Sequence, residues 1–257
     1  MLLQRARYYR LDGQLEYSLG DLDRARELDP ENLAISLQRG LTLSALRRDG
    51  EAEAELNRVL GRGVGGAAGF AERAKIRSRS GRVGLAISDL DAAIALQPGL
   101  DLFLERGRLQ ESDAKLDEAA KGYREGLDHV GDAVLLRRAA IRVEIERKRY
   151  DDALRMIDEQ IDKGQLQTEW LLARAEVLEA TGRAAEAEQA RFEALARASQ
   201  ALRKRPTSAN LVARAQAHLA LGDVPAARRD LEQALRNSPQ VSRARAMLSA
   251  IEAQPGE

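Results

Sequence analysis

One spacing recurs along this chain. Counting from Gly222, Ala227 lies five residues on, Leu231 nine, Ala234 twelve and Pro239 seventeen. From Gly81 the same offsets fall on Ala86, Leu90, Ala93 and Pro98, and from Gly13 on Ser18, Leu22, Ala25 and Pro30. Three of the six prolines share one offset, which makes coincidence a poor explanation. Weaker copies start at Ala114 (Ala119, Tyr123, Gly126, Gly131) and at Lys148 (Ala153, Ile157, Gln160, Gln165). Another starts at Gly182 (Ala187, Arg191, Ala194), with Pro206 arriving seven residues late. A degenerate copy lies around Gly50, with Ala54 and Val59. The small residues Ser18, Ala54, Ala86, Ala119, Ala153, Ala187 and Ala227 stand 36, 32, 33, 34, 34 and 40 apart, a period of 34. A fixed period of this length means stacked copies of one supersecondary unit.

That unit is read as two antiparallel helices. Apolar and small residues at helical spacing precede each copy: Leu2-Ala6-Tyr9, Leu37-Gly40-Leu43, Phe70-Ala74-Arg77, Phe103-Gly107-Gln110, Leu136-Ala140-Val143, Leu171-Ala175-Leu178 and Leu211-Ala215-His218. Apolar positions three and four apart form one helix face, and the small residue between them admits a second helix at close range. Glycine ends the first helix because it takes a left-handed backbone at little cost. Proline, which cannot continue a helix, marks the end of the second. Pro225 sits three residues past Gly222, in a first helical turn where a missing N–H costs nothing. Composition agrees: the apolar residues are mostly Ala and Leu, only 1 Trp, 5 Tyr and 3 Phe occur, and the 20 glycines and 6 prolines are sparse. These are helix-forming residues, and the fold class is all-α.

Gly81-Arg82-Val83-x-x-Ala86…Ala93…Pro98 and Gly222-Asp223-Val224-x-x-Ala227…Ala234…Pro239 resemble the second-helix signature of the tetratricopeptide repeat (TPR) family. The resemblance covers nearly the whole chain and implies a right-handed superhelical solenoid. It also implies a non-catalytic scaffold or adaptor whose concave groove binds a peptide segment or protein surface. The expected organisation is a single solenoid over 1–257, with units near 1–32, 33–66, 67–99, 100–133, 134–167, 168–207 and 208–240. Val241, Ala244, Leu248 and Ile251 recur at helical spacing and predict a capping helix over 241–254 that seals the last unit. No equivalent cap precedes the first helix, which starts almost at Met1, so a chain trimmed from a longer protein is expected.

Chemistry is harder to find. Gly61-Arg62-Gly63-Val64-Gly65-Gly66 satisfies GxGxxG, but that fingerprint needs a preceding strand, so the glycines of 61–69 read as a flexible joint. No P-loop, HExxH or GxSxG occurs, and no cysteine is present to act as nucleophile, zinc ligand or disulfide partner. His129 beside Asp128 reads as a helix-end or solvated residue, and His218 as a packed one. The reading is not an enzyme, with no cofactor and no metal. The 41 basic residues balance 41 acidic ones, which argues against a nucleic-acid binder or a general anionic-membrane binder. The longest aliphatic run, Ala92 to Leu96, is far too short to insert in a bilayer. A soluble protein of cytoplasm or bacterial periplasm is expected. Trp170 reads as a packing residue, and Arg203-Lys204-Arg205 as cations favoured by a helix C-terminus.

The resemblance puts the first helices along the inner wall. The faces turned away from the repeat positions give Leu3 and Arg7, Leu37 and Leu41, Ala71, Lys75 and Arg79, Leu104 and Arg108, and Arg137 and Ile141. Further along come Leu172, Glu176 and Glu179, then Val212 and Gln216. Aliphatic residues are frequent, and charge is polarised: Arg7, Lys75, Arg79, Arg108 and Arg137 precede Glu144, Glu176 and Glu179. A segment acidic toward one end, with apolar residues between, would be complementary. The few asparagines, Asn32, Asn57, Asn210 and Asn237, are not placed for a carboxylate clamp of the kind some tetratricopeptide proteins use on chaperone tails. Two other readings stand beside the groove: a self-associating assembly platform, with monomer the default state, and a helical-repeat RNA binder.

Overall fold

The structure, a computed structural model, describes residues 1–164 and 167–253, and among them it holds fifteen α-helices and no strand. Gln165, at the last mark of the fifth unit, and Gln254, the last residue of the expected cap, lie outside the described residues. The helices pair as hairpins. The first four are α1 (Leu2–Leu11) with α2 (Leu15–Leu28), α3 (Leu33–Ala45) with α4 (Asp49–Leu60), α5 (Gly66–Arg79) with α6 (Val83–Leu96), and α7 (Leu100–Ser112) with α8 (Leu116–Val130). Then follow α9 (Val134–Glu146) and α10 (Tyr150–Asp162), α11 (Gln167–Ala180) with α12 (Ala184–Lys204), and α13 (Ser208–Ala220) with α14 (Val224–Asn237). A single helix, α15 (Ser242–Ala253), comes last. The chain forms two compact units, Met1–Val143 and Glu144–Glu257, whose boundary falls within α9.

The turns show why the spacing is fixed. Gly13, Gly81, Gly182 and Gly222 take φ between 74° and 79° where a first helix ends. Three turns manage without glycine: Arg47, Ala114 and Lys148 take φ of 61°, 56° and 59°, at a cost of about 1 kcal/mol each for a side chain in that region. Arg47 corrects the second unit. Measured from it, Ala52, Leu56 and Val59 fall at offsets five, nine and twelve, and all three are fully buried, whereas Ala54 is exposed. The unit is therefore regular. Its glycine is replaced, and the nearby Gly50 lies inside α4. Side chains cap several helices: Asn32 accepts from the Ala34 N–H, Thr207 from Asn210 and Asp223 from Ala226.

In the 61–69 stretch, where a flexible joint was expected, residues 61–64 are exposed and α5 begins at Gly66. Gly69 is buried in the first turn of α5, and a Cβ there would stand 3.2 Å from the Leu60 side chain. At Gly107 the same atom would lie 2.3 Å from the ring of Tyr123, so this glycine is what lets α8 lay its tyrosine across α7.

Each core cluster joins one hairpin to the next helix. In the N-terminal unit, Ala6, Leu22 and Ala25 meet Ile35 of α3, and Leu43, Ala52 and Leu56 meet Ile76 of α5. Ala74, Ala86 and Leu90 meet Leu109 of α7. In the C-terminal unit, Leu171 and Ala194 meet Ala217 of α13, and Leu211, Ala215, Ala227 and Leu231 meet Ala244 and Leu248 of α15. Burial of apolar surface drives each closure, and α15 closes the last hairpin as its spacing predicts. Trp170 is buried.

Candidate functional site

The first helices carry the expected wall residues, and the structure sorts them. In the N-terminal unit Leu104 and Ile141 are buried, so they serve packing. Leu37 is partly covered against the Leu43–Leu56 cluster, and Leu41 is partly exposed. The cations are mostly engaged by their own chain. Lys75 Nζ lies 3.0 Å from Glu72, Arg79 donates to Asp49 and to the Ser44 hydroxyl, and Arg137 donates to Asp132 at 2.9 Å. Arg108 is exposed, and Arg7 keeps a buried Nε that meets no acceptor. In the C-terminal unit Glu144 is fully buried against Arg147, and Glu179 accepts from Arg191 of α12. Glu176 is exposed. Most of the charges expected along the wall are engaged within the chain, by partners on the same helix, in the turn before it or on a neighbouring helix.

The C-terminal unit has concave space where the wall was expected. A cleft of about 440 Å³ is lined by Leu172 and Glu176 of α11, Arg191 of α12, Gln216, Leu219 and Ala220 of α13, and Arg243 and Met247 of α15. A second, about 470 Å³, is lined among others by Thr168, Glu169, Val212, Ala213, Gln216, Val241 and Arg243. Gln216 and Arg243 belong to both, so the two adjoin. The Arg243–Glu169 ion pair, 3.1 Å long, ties α15 to α11 beside them. The capping helix thus does two things: it covers the last core and completes the clefts.

A second repeated feature escaped the reading of apolar spacing. An arginine immediately precedes the small residue of most first helices: Arg5, Arg39, Arg73, Arg106, Arg174 and Arg214. Sixteen residues on, in the paired helix, stand Asp21, Glu55, Asp89 and Asp230 in four of these hairpins. Arg5, Arg73 and Arg214 each grip their carboxylate with two nitrogens, at 2.6 to 2.9 Å, and Arg39 Nη1 reaches Glu55 at 2.7 Å. The same arginines also reach backward. Arg39 bonds Asp23, Arg73 bonds Asn57, Arg106 bonds Asp91 and Arg174 pairs with Asp158, each on the second helix of the preceding hairpin. The result is a ladder in which bidentate contacts close single hairpins and the backward contacts hold hairpin to hairpin. Its signal was present in the sequence as a second spacing of 34, carried by charge.

The electrostatics follow from these contacts. The guanidinium of Arg5 holds the Asp21 carboxyl below the usual range, chiefly by hydrogen bonding, and Arg79 does the same to Asp49. Glu53 is held down by Arg82 first and by Arg77. Burial, then the hydrogen bond to Glu111, pushes the Tyr123 hydroxyl upward, so it remains a donor to that carboxylate. His129 Nδ1 sits 2.9 Å from the Glu125 carbonyl oxygen, and His218 Nδ1 lies 3.4 Å from Asp223. Among the described residues no group of three His, Asp or Glu is placed to hold a metal ion, and no helix is long and apolar enough to cross a membrane.

Hairpins of this length, sealed by their neighbours and repeated without strands among the described residues, define an all-helical repeat fold. The tetratricopeptide repeat family profile matches residues 138–209 and 212–257, so this part of the chain carries the tetratricopeptide repeat. Among curated protein sequences none matches. Solved structures extend the fold over the remaining residues. The C-terminal part of a TPR repeat-containing protein from Cytophaga hutchinsonii is 14% identical, with a TM-score of 0.65 over 96% of this chain and 99% of that one. A tetratricopeptide repeat protein from Parabacteroides merdae is 18% identical, with a TM-score of 0.55 over 98% and 97%. YrrB, described as a TPR protein with an unusual peptide-binding site, is 20% identical, with a TM-score of 0.53 over 63% and 84%. At these identities the likeness is one of fold.

Proposed function

We propose that the protein is a non-catalytic scaffold that holds a segment of a partner protein against its first-helix walls. The tetratricopeptide fold is typical of protein–protein interaction scaffolds, and YrrB, of the same fold, has a peptide-binding site. The carrying observation is the pair of adjoining clefts along α11, α13 and α15, lined by Leu172, Glu176, Val212 and Gln216. Their chemistry defines the occupant. Leu172, Leu219 and Met247 offer apolar surface, while Glu176 presents a carboxylate to solvent. An extended segment with an aliphatic side chain next to a lysine or arginine would bury the first and pair the second. In the N-terminal unit, Arg7, Leu41 and Arg108 on the corresponding face suit an acidic segment.

Selection of displayed peptides on the whole protein tests the reading. Enrichment of aliphatic–basic segments is expected. Their capture should fall at least about tenfold with Gln216→Arg, which fills both clefts, and with Glu176→Lys, which reverses the charge they meet. Equal capture by the parent and both variants would remove the clefts from the argument.

A further inference from the structure

One second helix departs from the repeat. Counted from Gly13, Gly81 and Gly222, the helices α2, α6 and α14 end fifteen residues on, at Leu28, Leu96 and Asn237. By the same count from Gly182, α12 would end at Arg197, yet it runs on to Lys204. The extension, residues 198–204, lengthens the helix by about 10 Å at 1.5 Å per residue. It is firmly held. Ala198 is buried, and Leu202 packs on the core cluster of the last hairpin. The Asn210 side chain donates to the Ala201 and Arg205 carbonyl oxygens at 3.2 and 2.8 Å. The helix end thus presents Arg203-Lys204-Arg205 on a fixed support, and all three are exposed.

These cations differ from the arginines of the ladder. No carboxylate of the described residues lies within ion-pair distance of any of the three. Carbonyls at a helix C-terminus favour cations, but here Asn210 already donates to two of them. The neighbourhood adds charge of the same sign. Because α13 and α14 are antiparallel, α14 ends at the edge where α12 ends. Leu235 joins Leu202 on the same core cluster, and Arg236 follows it as Arg203 follows Leu202. Arg236 is exposed, and its guanidinium donates to the neutral Gln233 side chain at 2.9 Å. From Arg197 to Arg245 the chain carries ten basic residues, opposed by Asp223, Asp230 and Glu232. Asp223 caps α14 and Asp230 is gripped by Arg214, which leaves Glu232. The surface is built from residues inside the chain, flanked in sequence by helices on both sides.

We propose that Arg203, Lys204, Arg205 and Arg236 form a docking site for an acidic segment of a partner protein, rich in aspartate and glutamate. Guanidinium groups take carboxylates with two parallel N–H donors, and these three arginines have no carboxylate of their own. Nucleic acid is the competing polyanion. Residues 193–257 contain no Phe, Trp or Tyr on which bases could stack. The chain as a whole carries no net charge, which favours a short run of carboxylates over a long row of phosphates. The four cations line neither cleft of the C-terminal unit, so the site stands independently of them.

The probe is a fluorescently labelled peptide of alternating aspartate and glutamate, titrated with the whole protein and followed by anisotropy. Saturable binding is expected, weakening as salt rises. It should fall about tenfold or more with Arg203→Gln, Lys204→Gln and Arg205→Gln combined, and about threefold with Arg236→Gln alone. Arg24→Gln, Arg62→Gln and Lys121→Gln combined remove the same charge from exposed positions of the N-terminal unit and should leave binding unchanged. Gln216→Arg, which fills the clefts, should not weaken it, so the two sites fail separately. Circular dichroism of every variant should match the parent, since none of the docking cations holds an ion pair; if the triple variant does not fold, Arg236→Gln decides. Absence of binding overturns the proposal, as does equal weakening by the two triple variants. Tighter binding of a single-stranded oligonucleotide or of anionic lipid vesicles, lost in the same triple variant, overturns the assignment to an acidic protein segment.

Discussion

In the N-terminal unit the second helices offer Asp21, Glu55 and Asp89 to an arginine on the paired helix. In the sixth hairpin, α12 offers Ala190 at the corresponding place. In the C-terminal unit the forward rung stands at Arg214–Asp230. Along α12, Ala187, Ala190, Ala194 and Ala198 are all buried, so α11 and α13 approach a nearly smooth cylinder. The two regions thus solve one packing problem differently. A buried guanidinium must find its carboxylate, so a hairpin slipped by one turn would strand a charge. Alanine contacts carry no such penalty, and they specify distance more than register.

The largest expected effect is at Asp89, which accepts from both Arg73 and Arg77. Asp89→Ala leaves two guanidinium groups beside an apolar core and should cost about 3 kcal/mol, as breaking buried pairs does. Urea denaturation followed by hydrogen exchange reads it: protection should fall across α5–α7 and remain across α12–α14. Equal loss in both regions would erase the distinction. Ala194→Leu is the converse. It adds volume where the cylinder is smooth and should cost about 2 kcal/mol by overpacking, with the exchange loss confined to α11–α13. A neutral result would show that α12 has slack the alanines do not reveal.

The acid response separates the regions on a smaller scale. Asp21, Asp49, Glu51 and Glu53 are held below their usual values by Arg5, Arg79, Arg48 and Arg82. In the C-terminal unit, Glu186 is held down by Arg183. A carboxyl lowered in the folded state contributes stability that is complete above its ordinary value, 3.8 for Asp and 4.5 for Glu. That contribution is lost as pH falls through the lowered value. Exchange measured from pH 5 downward should therefore show α1–α6 opening before α11–α14. Because Glu51 and Glu186 are exposed and water screens such pairs, the difference rests on Asp21, Asp49 and Glu53. Simultaneous opening would argue that the ladder's carboxylates do not set acid stability.

Most of the fold was legible because small residues recur where two helices must approach, and prolines follow four of the second helices. The second unit was misplaced for a physical reason. Glycine is the usual left-handed residue, so attention fell on Gly50, while Arg47 carries that conformation at modest cost. The ladder went unread because the repeat was sought in apolar positions alone. The wall was an expectation about positions, and positions alone do not define a surface. Spacing says which face Lys75 or Glu179 occupies, but whether Glu72 or Arg191 already holds it depends on turns that come together only on folding.

Asp158 sets the lower limit of the comparison. Arg174 pairs with it at 3.0 Å, the same backward contact that Arg106 makes to Asp91. The geometry is shared, but the surroundings are not: the arginine side chain is 34% exposed at Arg174 and 8% at Arg106. Water therefore replaces the lost partner of Arg174 but not fully that of Arg106. Asp158→Ala should cost no more than about 0.5 kcal/mol, within the range of exposed pairs. Asp91→Ala should cost more, since the Arg106 guanidinium then depends on Glu125 and the Gly122 carbonyl alone. Denaturation midpoints of the two variants, measured at low and at high salt, check this. The Asp158 difference should vanish in salt and the Asp91 difference should persist, because a buried pair is poorly screened. If the two variants behave alike, position in the ladder matters more than burial, and the contrast between the two regions must be redrawn on sequence register alone.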